Sequence, residues 1–484
     1  MDERMTTIQA SVIDGIALTP RFRERNLTAL HSALQDVRAE LVEEIKQQGA
    51  TNEEAMFQYL LTLNALKEFH STVHPQACQE AEYRVARSQD HPDQRRPYGY
   101  AYIVPAHVDE LYSTVVAVAA ALAAGNCILV QRRSESTRLL QILEKLLTGA
   151  LSPEVFVFAS KDPFDTIFQQ RHRSVLQGAP ASDLKGGSPP VDGQVAVVVN
   201  RTADLRAAAR DCVHARFAFG GTSAYAPDVV LVNDFCVDEF ASAVAEAALS
   251  YLTGPAHHNN SDPRPQKQVQ EPPTDLKEIL KTSGTILAAG HGGQVVLLRQ
   301  RNSKLLSHKV DSPVLVILPI TSVDDAIDWL NSSPSPLAAT YIYSTPAFAK
   351  YVSQFARSYL SLVNHIPPEL LVGPRAPSAI TTSVHPRYTP EMFSVVSPTL
   401  IEHPPHLQGL DRAIWSDAAG GNRKKLQDLL ETRLTPVKEP FGPAVGFFEQ
   451  GFLVGASLVL SSTIACGVLS IKYGYPALMA RLAR

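Results

Sequence analysis

The sequence predicts an α/β protein with parallel sheets, a helical N-terminal segment and an apolar C-terminal helix. Strand-like apolar runs alternate with helix-length segments between residues 100 and 363, as in parallel sheets with crossover helices. Before them, apolar residues from Leu27 to Ile45 recur at steps of three and four, which indicates one face of a helix. Near the other end, Gly451–Ile471 holds no charge over 21 residues, which is long enough for a helix to span a bilayer core.

Composition limits the classes of protein that the chain fits. Its 484 residues suffice for two or three domains, and 45% apolar with 19% charged residues is ordinary for a globular protein. The formal charge of -4 gives no basic excess, so no nucleic-acid partner is expected. The five cysteines lie apart, which predicts free thiols in a reducing compartment and no metal site. The polar N-terminus lacks the apolar region of a signal peptide, which indicates a cytosolic body.

Two helices are predicted in the N-terminal segment. The first begins at Pro20, with Thr19 as its N-cap, and runs to Gly49, where a left-handed glycine can end it. The second is predicted from Asn52 to His70. This segment carries no chemistry by itself.

Two series of alternating strands and helices follow, and they indicate two α/β domains. The first series has strands at Tyr100–Val104, Cys127–Val130 and Val155–Ala159 and helices at Ser113–Ala124 and Ser136–Leu147. The second has strands at Val195–Asn200, Asp228–Val232, Thr285–Ala289, Val295–Leu298, Ser312–Ile320, Ala339–Tyr343 and Leu360–Val363, and helices at Leu205–Phe217, Val237–Tyr251, Val323–Leu330 and Ala347–Ala356. Loops rich in Gly or Pro are expected at Gly186–Gly193 and Thr253–Asp275.

The apolar tail is expected to anchor the chain in a membrane. Its four serines and one threonine are tolerated in such a helix because their hydroxyls can bond to helix carbonyls. Lys472, Arg481 and Arg484 follow the apolar stretch, and Tyr473 and Tyr475 suit a membrane interface. The alternative interpretation is a core helix or a subunit-interface helix.

Five segments in a row resemble motifs of the aldehyde dehydrogenase family. The stretch PYGYAYIVPAHVDELYSTVVAVAAALAAGN, from Pro97, is similar to the family's PxGVVLIIxxWNYP…AAxAAGN. Phe164–Phe168 resembles the strand before the family's glycine turn, and Thr202–Leu205 its DADL helix start. GTSAYAPD, from Gly221, resembles the nucleophile motif GQxCxAPD, and SPVL, from Ser312, resembles the EIFGPVL strand. With the tail, these matches look most like the fatty-aldehyde branch, whose members can end in a membrane helix.

The resemblance implies both an architecture and a reaction. The architecture is a Rossmann-type cofactor domain with the helical N-terminal segment (1–190), a second, catalytic-type α/β domain (191–385), a C-terminal arm (386–445) and the membrane-anchor tail (446–484). The reaction needs a cysteine thiolate to attack an aldehyde carbonyl, an amide donor to hold the oxyanion, and a nicotinamide cofactor to accept hydride. A carboxylate base then activates water to hydrolyse the thioester.

The catalytic positions implied by the resemblance hold other residues. The nucleophile position is Ala224, with Ser223 beside it as a candidate nucleophile or, more simply, a loop serine. The oxyanion-asparagine position is Val108, which offers no donor, while His107 before it is a candidate donor or an ordinary loop histidine. For the general base, the nearest text to the family's ELGGK motif is DLKGGSP, in which Asp183 is a candidate base or a turn carboxylate.

The cofactor positions are altered as well. The lysine near the adenine ribose maps to Gln131, or to Arg132 with a gap. The glycine turn maps to Arg171 and Leu176 at its first and last glycine, where side chains would crowd the dinucleotide. The run Arg171-His172-Arg173 is a candidate for attracting a cofactor phosphate or, more simply, a solvated loop. The acid that holds the nicotinamide ribose maps to Lys309, which cannot accept hydrogen bonds from hydroxyls. We therefore expect NAD or NADP only if any cofactor is bound.

Loss of catalysis with retention of the fold is the economical interpretation. The sequence thus predicts a catalytically degenerate aldehyde dehydrogenase-like protein that acts as a binding or partner subunit, in a homodimer or a hetero-oligomer with a related enzyme. Its expected location is the cytoplasmic face of a membrane, or else the cytoplasm. The first alternative is an active NAD(P)-dependent oxidoreductase that oxidises an apolar or fatty aldehyde to the carboxylic acid. The second is a gene-model error around residues 169–194.

Overall fold

The structure is a computed structural model in which residues 1–400 form one compact unit and residues 401–484 a second. The residues that it describes are 3–89, 94–132, 137–159, 172–177, 187–188, 193–253, 284–290, 292–301, 306, 309–310, 312–377, 384–397, 427, 430–431, 433, 446–469 and 472. The predicted strand at Phe164–Phe168 and nearly all of the predicted loop at Thr253–Asp275 lie outside them.

The regular elements of the described residues are numbered in chain order. The strands are β1 (Arg95–Pro97), β2 (Tyr100–Val104), β3 (Cys127–Gln131), β4 (Phe156–Ala159), β5 (His172–Leu176), β6 (Gly187–Ser188), β7 (Val195–Val199), β8 (Val229–Asn233), β9 (Gly284–Gly290), β10 (Gly293–Leu298), β11 (Val314–Ile320), β12 (Ala339–Tyr343), β13 (Ser361–Val363) and β14 (Ser394–Val396). The helices are α1 (Glu3–Asp14), α2 (Pro20–Asp36), α3 (Arg38–Gln47), α4 (Asn52–Thr72), α5 (Pro75–Ala86), α6 (Glu110–Ala124), α7 (Arg138–Ala150), α8 (Leu205–Phe217), α9 (Val237–Leu252), α10 (Val323–Asn331), α11 (Pro346–Phe355) and α12 (Phe447–Leu469).

The N-terminal segment is helical, as predicted, but the first predicted helix is divided. Val37, at φ -104° and ψ 15°, leaves helical geometry and separates α2 from α3. Thr19 is the N-cap residue of α2 and Pro20 lies in its first turn, as predicted, although the Thr19 side chain makes no capping hydrogen bond. Gly49 has a φ of 100°, which confirms the left-handed end. A capping box of Thr51 and Glu54 starts α4.

A five-stranded parallel sheet follows, in the order β4-β3-β2-β5-β6. Helix α6 crosses from β2 to β3 and is buried along its whole length, which explains its run of small and apolar residues. Asp109, in a left-handed conformation with a φ of 51°, precedes this helix, and Gly125, with a φ of 95°, ends it. The carboxyl ends of β2 and β3 thus meet at one edge, where ligands bind in sheets of this type.

Two strands of this sheet differ from the sequence prediction. Strand β5 lies at His172–Leu176, where a turn was expected, and pairs in parallel with β2. Strand β6 falls inside the predicted loop Gly186–Gly193 and pairs with β5. Both were missed because their apolar content is low, and pairing with neighbours supplies what local propensity does not. The segment 169–194, for which a gene-model error was the alternative interpretation, therefore contributes two strands to the sheet.

The second sheet has seven strands, in the order β13-β12-β7-β8-β11-β10-β9, and is parallel except that β9 runs antiparallel to β10. Successive residues of β7 alternate between its two faces: Val195, Val197 and Val199 join the core beneath α8 and α9, while Ala196 and Val198 join the opposite core. Burial on both faces explains the continuous apolar runs from which these strands were predicted. The predicted domain boundaries stay predictions.

A two-stranded ribbon and an apolar helix lie outside these two sheets. Strands β1 and β14 form the ribbon, which is antiparallel. In the second unit, Glu449–Leu469 of α12 is, among the described residues, the one helix long and apolar enough to cross a membrane. The Ser457 hydroxyl donates to Val454 O at 2.8 Å and the Thr463 hydroxyl to Val459 O at 2.7 Å, as expected for such residues in an apolar helix. The predicted C-terminal apolar helix is confirmed.

Candidate functional site

The loop that resembles the nucleophile motif begins where α8 ends. Phe219 and Gly220 adopt left-handed conformations, with φ values of 52° and 67°, and turn the chain sharply. Gly221 also has a positive φ, of 73°, and a Cβ there would lie 2.7 Å from Pro313 Cα, so only glycine fits. Phe219 N donates to Glu54 Oε1 at 2.7 Å, which ties the loop to α4.

Ser223 and Ala224 occupy the heart of this loop. Ser223 is 2% exposed, and its hydroxyl donates to Leu371 O at 2.7 Å and accepts from Tyr225 N at 3.4 Å. Among the described residues, this hydroxyl has hydrogen bonds to main-chain groups only, so no histidine or carboxylate there accepts its proton. Ala224 is partly buried and packs on the core of the seven-stranded sheet.

The loop between β2 and α6 holds the residues at the oxyanion-donor position. Val108 is 42% exposed, and His107 is exposed as well. Asp109, which follows them, contacts residues 373 and 58. Its carboxylate accepts from Gly373 N at 2.7 Å and from Gln58 Nε2 at 3.2 Å.

The Asp109 carboxyl has an altered protonation equilibrium. Burial raises its pKa to about 6, the Gly373 N–H opposes this rise, the Glu54 carboxylate adds to it, and Arg387 opposes it. A carboxyl with such a pKa is half protonated near pH 6. When ionised, it would repel an oxyanion formed beside it.

A buried arginine, Arg387, contacts residues of both the nucleophile-motif loop and helix α6. Its guanidinium lies 4.4 Å from the Tyr225 ring centroid and donates to Leu370 O at 2.9 Å. Arg387 N donates to the Tyr112 hydroxyl at 3.0 Å, and that oxygen is 3.2 Å from His385 Nδ1. Sequence analysis missed these residues, because nothing in the local sequence marks an arginine that will be fully buried.

Lys309 forms an ion pair that the sequence did not predict. Its Nζ is 3.3 Å from Asp228 Oδ1, and Arg216 Nη1 lies 3.6 Å from the same oxygen. Asp228 and Arg216 are fully buried, and Asp228 also accepts from Val195 N at 2.8 Å. Lys309 thus pairs with a buried carboxylate that also binds the first residue of strand β7.

On the cofactor side, Gln131 and Arg132 lie at the end of β3. The Arg132 side chain pairs with Glu144 of α7, and the main-chain N–H of Arg132 donates to Ala159 O at 2.8 Å. Both line a cavity of about 20 Å³, the size of a water site. Leu176 lies in strand β5, so its assignment to the last glycine of a turn is wrong. Arg171 and Asp183 lie outside the described residues.

Two described residues, Gln131 and Lys309, lie at positions where the resemblance implies contacts with a nicotinamide dinucleotide. Gln131 offers a side-chain amide at the edge of the sheet where the adenosine end is expected. Lys309, which the resemblance maps to the acid that would hold the nicotinamide ribose, offers a donor held by Asp228 and no acceptor for ribose hydroxyls. The group therefore does not fit at that contact.

Comparisons with known proteins show a similarity to aldehyde dehydrogenases. The family model described as "Aldehyde dehydrogenase family" matches residues 173–358. The chain is 26% identical over 270 residues to a probable coniferyl aldehyde dehydrogenase of Pseudomonas aeruginosa, a match over 51% of the chain and 56% of that protein, or about half of its length. It is 24% identical to human aldehyde dehydrogenase family 3 member B1 (69% of the chain, 73% of that protein) and 22% identical to mouse family 3 member A2 (71% and 75%).

Solved structures of the family share the fold. Glyceraldehyde-3-phosphate dehydrogenase GapN from Methanocaldococcus jannaschii, complexed with NADP, gives a TM-score of 0.64 at 15% identity, over 82% of this chain and 93% of that one. Staphylococcus aureus AldH in a substrate-bound state gives 0.62 at 15% identity, over 89% and 100%. The motifs, the family model over residues 173–358 and the fold all resemble those of the aldehyde dehydrogenase superfamily.

Proposed function

We propose that this protein is a catalytically silent member of the aldehyde dehydrogenase superfamily that serves as a binding or partner subunit. The observation behind the proposal is the loop at Ser223 and Ala224. Alanine supplies no nucleophile, and the neighbouring hydroxyl donates to the Leu371 carbonyl rather than to a base. Oxidation of an aldehyde by way of an acyl-enzyme needs a nucleophile whose proton a base can take.

The surroundings of that loop support the same proposal. Val108 supplies no side-chain donor for an oxyanion, and the Asp109 carboxylate next to it opposes negative charge. Restoring one group therefore leaves others missing, so loss of activity does not depend on a single position.

We also propose that α12 anchors the protein at the cytoplasmic face of a membrane, where it pairs with a second copy or with a related enzyme. Its apolar length supports the anchor. Superfamily membership and the closed symmetry usual for oligomers support the pairing. NAD or NADP is the cofactor class if one is retained, as in the NADP complex of the M. jannaschii enzyme.

The test is aldehyde oxidation by the full-length chain in lipid nanodiscs. Wild type and the Ala224→Cys variant are each mixed with octanal and NAD+ or NADP+, beside an active family member, and NAD(P)H is followed by absorbance. We expect none from wild type, and from Ala224→Cys at most a trace relative to the active member. Sustained turnover by wild type would sink the proposal.

The partner role is tested separately by native mass spectrometry of the chain with and without an active family member that carries a similar tail. Mixed oligomers are expected. If the two proteins form only separate assemblies, the partner role is limited to a second copy of this chain.

The second candidate function is NAD(P)-dependent oxidation of an apolar or fatty aldehyde. The names of the relatives favour it, since the P. aeruginosa protein and both family 3 members are described as aldehyde dehydrogenases. It would require a nucleophile other than a cysteine at position 224, and Ser223 is the residue to test.

A further inference from the structure

We propose that an open groove between α8, α9 and the chain following β13 binds a small amphipathic carboxylate. The groove has a volume of about 1120 Å³. Its lining comes from α8 and α9, from residues 362–369 and from residues 384–385. The proposal does not depend on the loss of catalysis at Ala224.

The walls of the groove suit an apolar body. Val213 of α8, Ala247 of α9 and Leu362, Ile366 and Val384 of the facing chain all line it. Ligand sites combine such predominantly apolar walls with a few fixed polar groups, and their volumes run from about 300 to 1,000 Å³. This groove reaches that size, so it takes a molecule with a chain of several carbons.

Two polar groups on α8 suit a carboxylate. Arg210 and His214 are exposed, line the groove and stand one helical turn apart, so they share one face of the helix. Among the described residues, the Arg210 guanidinium has no ion pair or hydrogen bond, which leaves its charge open to a ligand. Guanidinium is the group best matched to a carboxylate.

The orientation of His214 is fixed by an aromatic neighbour. Its Nδ1 is 2.7 Å from the Tyr251 hydroxyl, and the Tyr251 ring stacks on Phe217 with centroids 5.8 Å apart. When Tyr251 donates to Nδ1, neutral His214 carries its proton on Nε2. That nitrogen then donates to an acceptor at the same face as Arg210.

Two acids also line the groove, Asp211 and Glu369. Asp211 accepts from the Tyr343 hydroxyl at 2.7 Å. Burial lowers the pKa of His385, and the Glu369 carboxylate partly opposes this lowering. A ligand carboxylate avoids these acids, so its place is at Arg210 and His214.

The test is calorimetric titration of the full-length chain in nanodiscs with octanoate, octylammonium and acetate, with empty nanodiscs as the blank. Octanoate binding is expected, with octylammonium and acetate at least about tenfold weaker, since each lacks one of the two features recognised. Arg210→Glu should weaken octanoate by about tenfold or more. Arg206→Glu is the matched control, because Arg206 is exposed one turn earlier on α8 and does not line the groove.

Other results overturn the proposal. Equal weakening by Arg210→Glu and Arg206→Glu would mean general attraction to a basic helix. Absence of octanoate binding, or equal binding of octylammonium, would show that the groove is not a carboxylate-binding site. Ala247→Trp fills the groove: it should abolish octanoate binding without changing the oligomeric state, and a change of that state with no ligand binding in wild type would make the groove a contact between copies.

Discussion

Ser223 and Asp109 are bonded to the same short segment, residues 371–373, in two different ways. The Ser223 hydroxyl donates to Leu371 O, a neutral bond in a fully buried place. The Asp109 carboxylate accepts from Gly373 N, a charged bond at a half-buried place. The Ser223 bond joins neutral groups and is therefore indifferent to pH, whereas the Asp109 bond depends on the protonation of a carboxyl whose pKa is raised to about 6.

The largest expected effect on stability comes from a substitution at Gly373. This residue has a φ of 89°, and a Cβ there would lie 2.6 Å from Cδ1 of Tyr112. Gly373→Ala should therefore lower the free energy of unfolding by about 3 kcal/mol or more. Circular dichroism during denaturant unfolding measures this.

The matched control for that substitution is Gly149→Ala. Gly149 lies in α7, where an added Cβ meets nothing within 4 Å. It should leave stability unchanged or raise it by about 0.5–1 kcal/mol, because alanine favours the helix. Equal behaviour of the two variants would show that the 371–373 segment is not tightly held.

Asp109 gives the next largest effect, and it depends on pH. Its pKa rises from 3.8 to about 6 on folding, so the folded state binds more protons than the unfolded state between these values. The stability that this group contributes is full below about pH 4 and is lost as pH rises through about 6. Asp109→Asn does not titrate there, so the unfolding free energies of wild type and variant should diverge in favour of the variant by about 1–3 kcal/mol across that window.

Unfolding curves at several pH values between about 4 and 7 measure that difference. A constant gap between the two proteins would mean that Asp109 is not titrating in this range.

Ser223→Ala tests the neutral bond, the one between the Ser223 hydroxyl and Leu371 O. It leaves the Leu371 carbonyl and the Tyr225 N–H without this partner, at a cost of about 1–2 kcal/mol. Because no ionisable group is removed, the cost should be the same throughout the pH window in which Asp109 titrates. A cost that changes with pH in parallel with Asp109 would show that the two bonds are coupled.

The sequence predicted the fold better than it predicted the site. Buried strands such as β7 and β11 were legible because burial on both faces demands continuous apolar runs. Strand β5 was missed, and a turn was expected in its place, because its pairing with β2 depends on the sheet rather than on its own residues.

The site depends still more on tertiary structure. Asp109 and Gly373 are far apart in sequence, and only folding brings the carboxylate to the amide. Arg387 and Tyr112 meet in the same way. Motif comparison predicted replaced groups at Ala224 and Val108, whereas the contacts around these positions required coordinates.

The most direct test of the central claim is intact-mass spectrometry of the full-length chain after incubation with octanal and NAD+ or NADP+. A silent enzyme forms no acyl adduct, because Ala224 has no nucleophile and the Ser223 proton goes to a carbonyl. An active family member, measured in parallel, shows that an adduct is detected when it forms. We predict the unmodified mass for this protein, and an octanoyl adduct that disappears in Ser223→Ala would contradict the account.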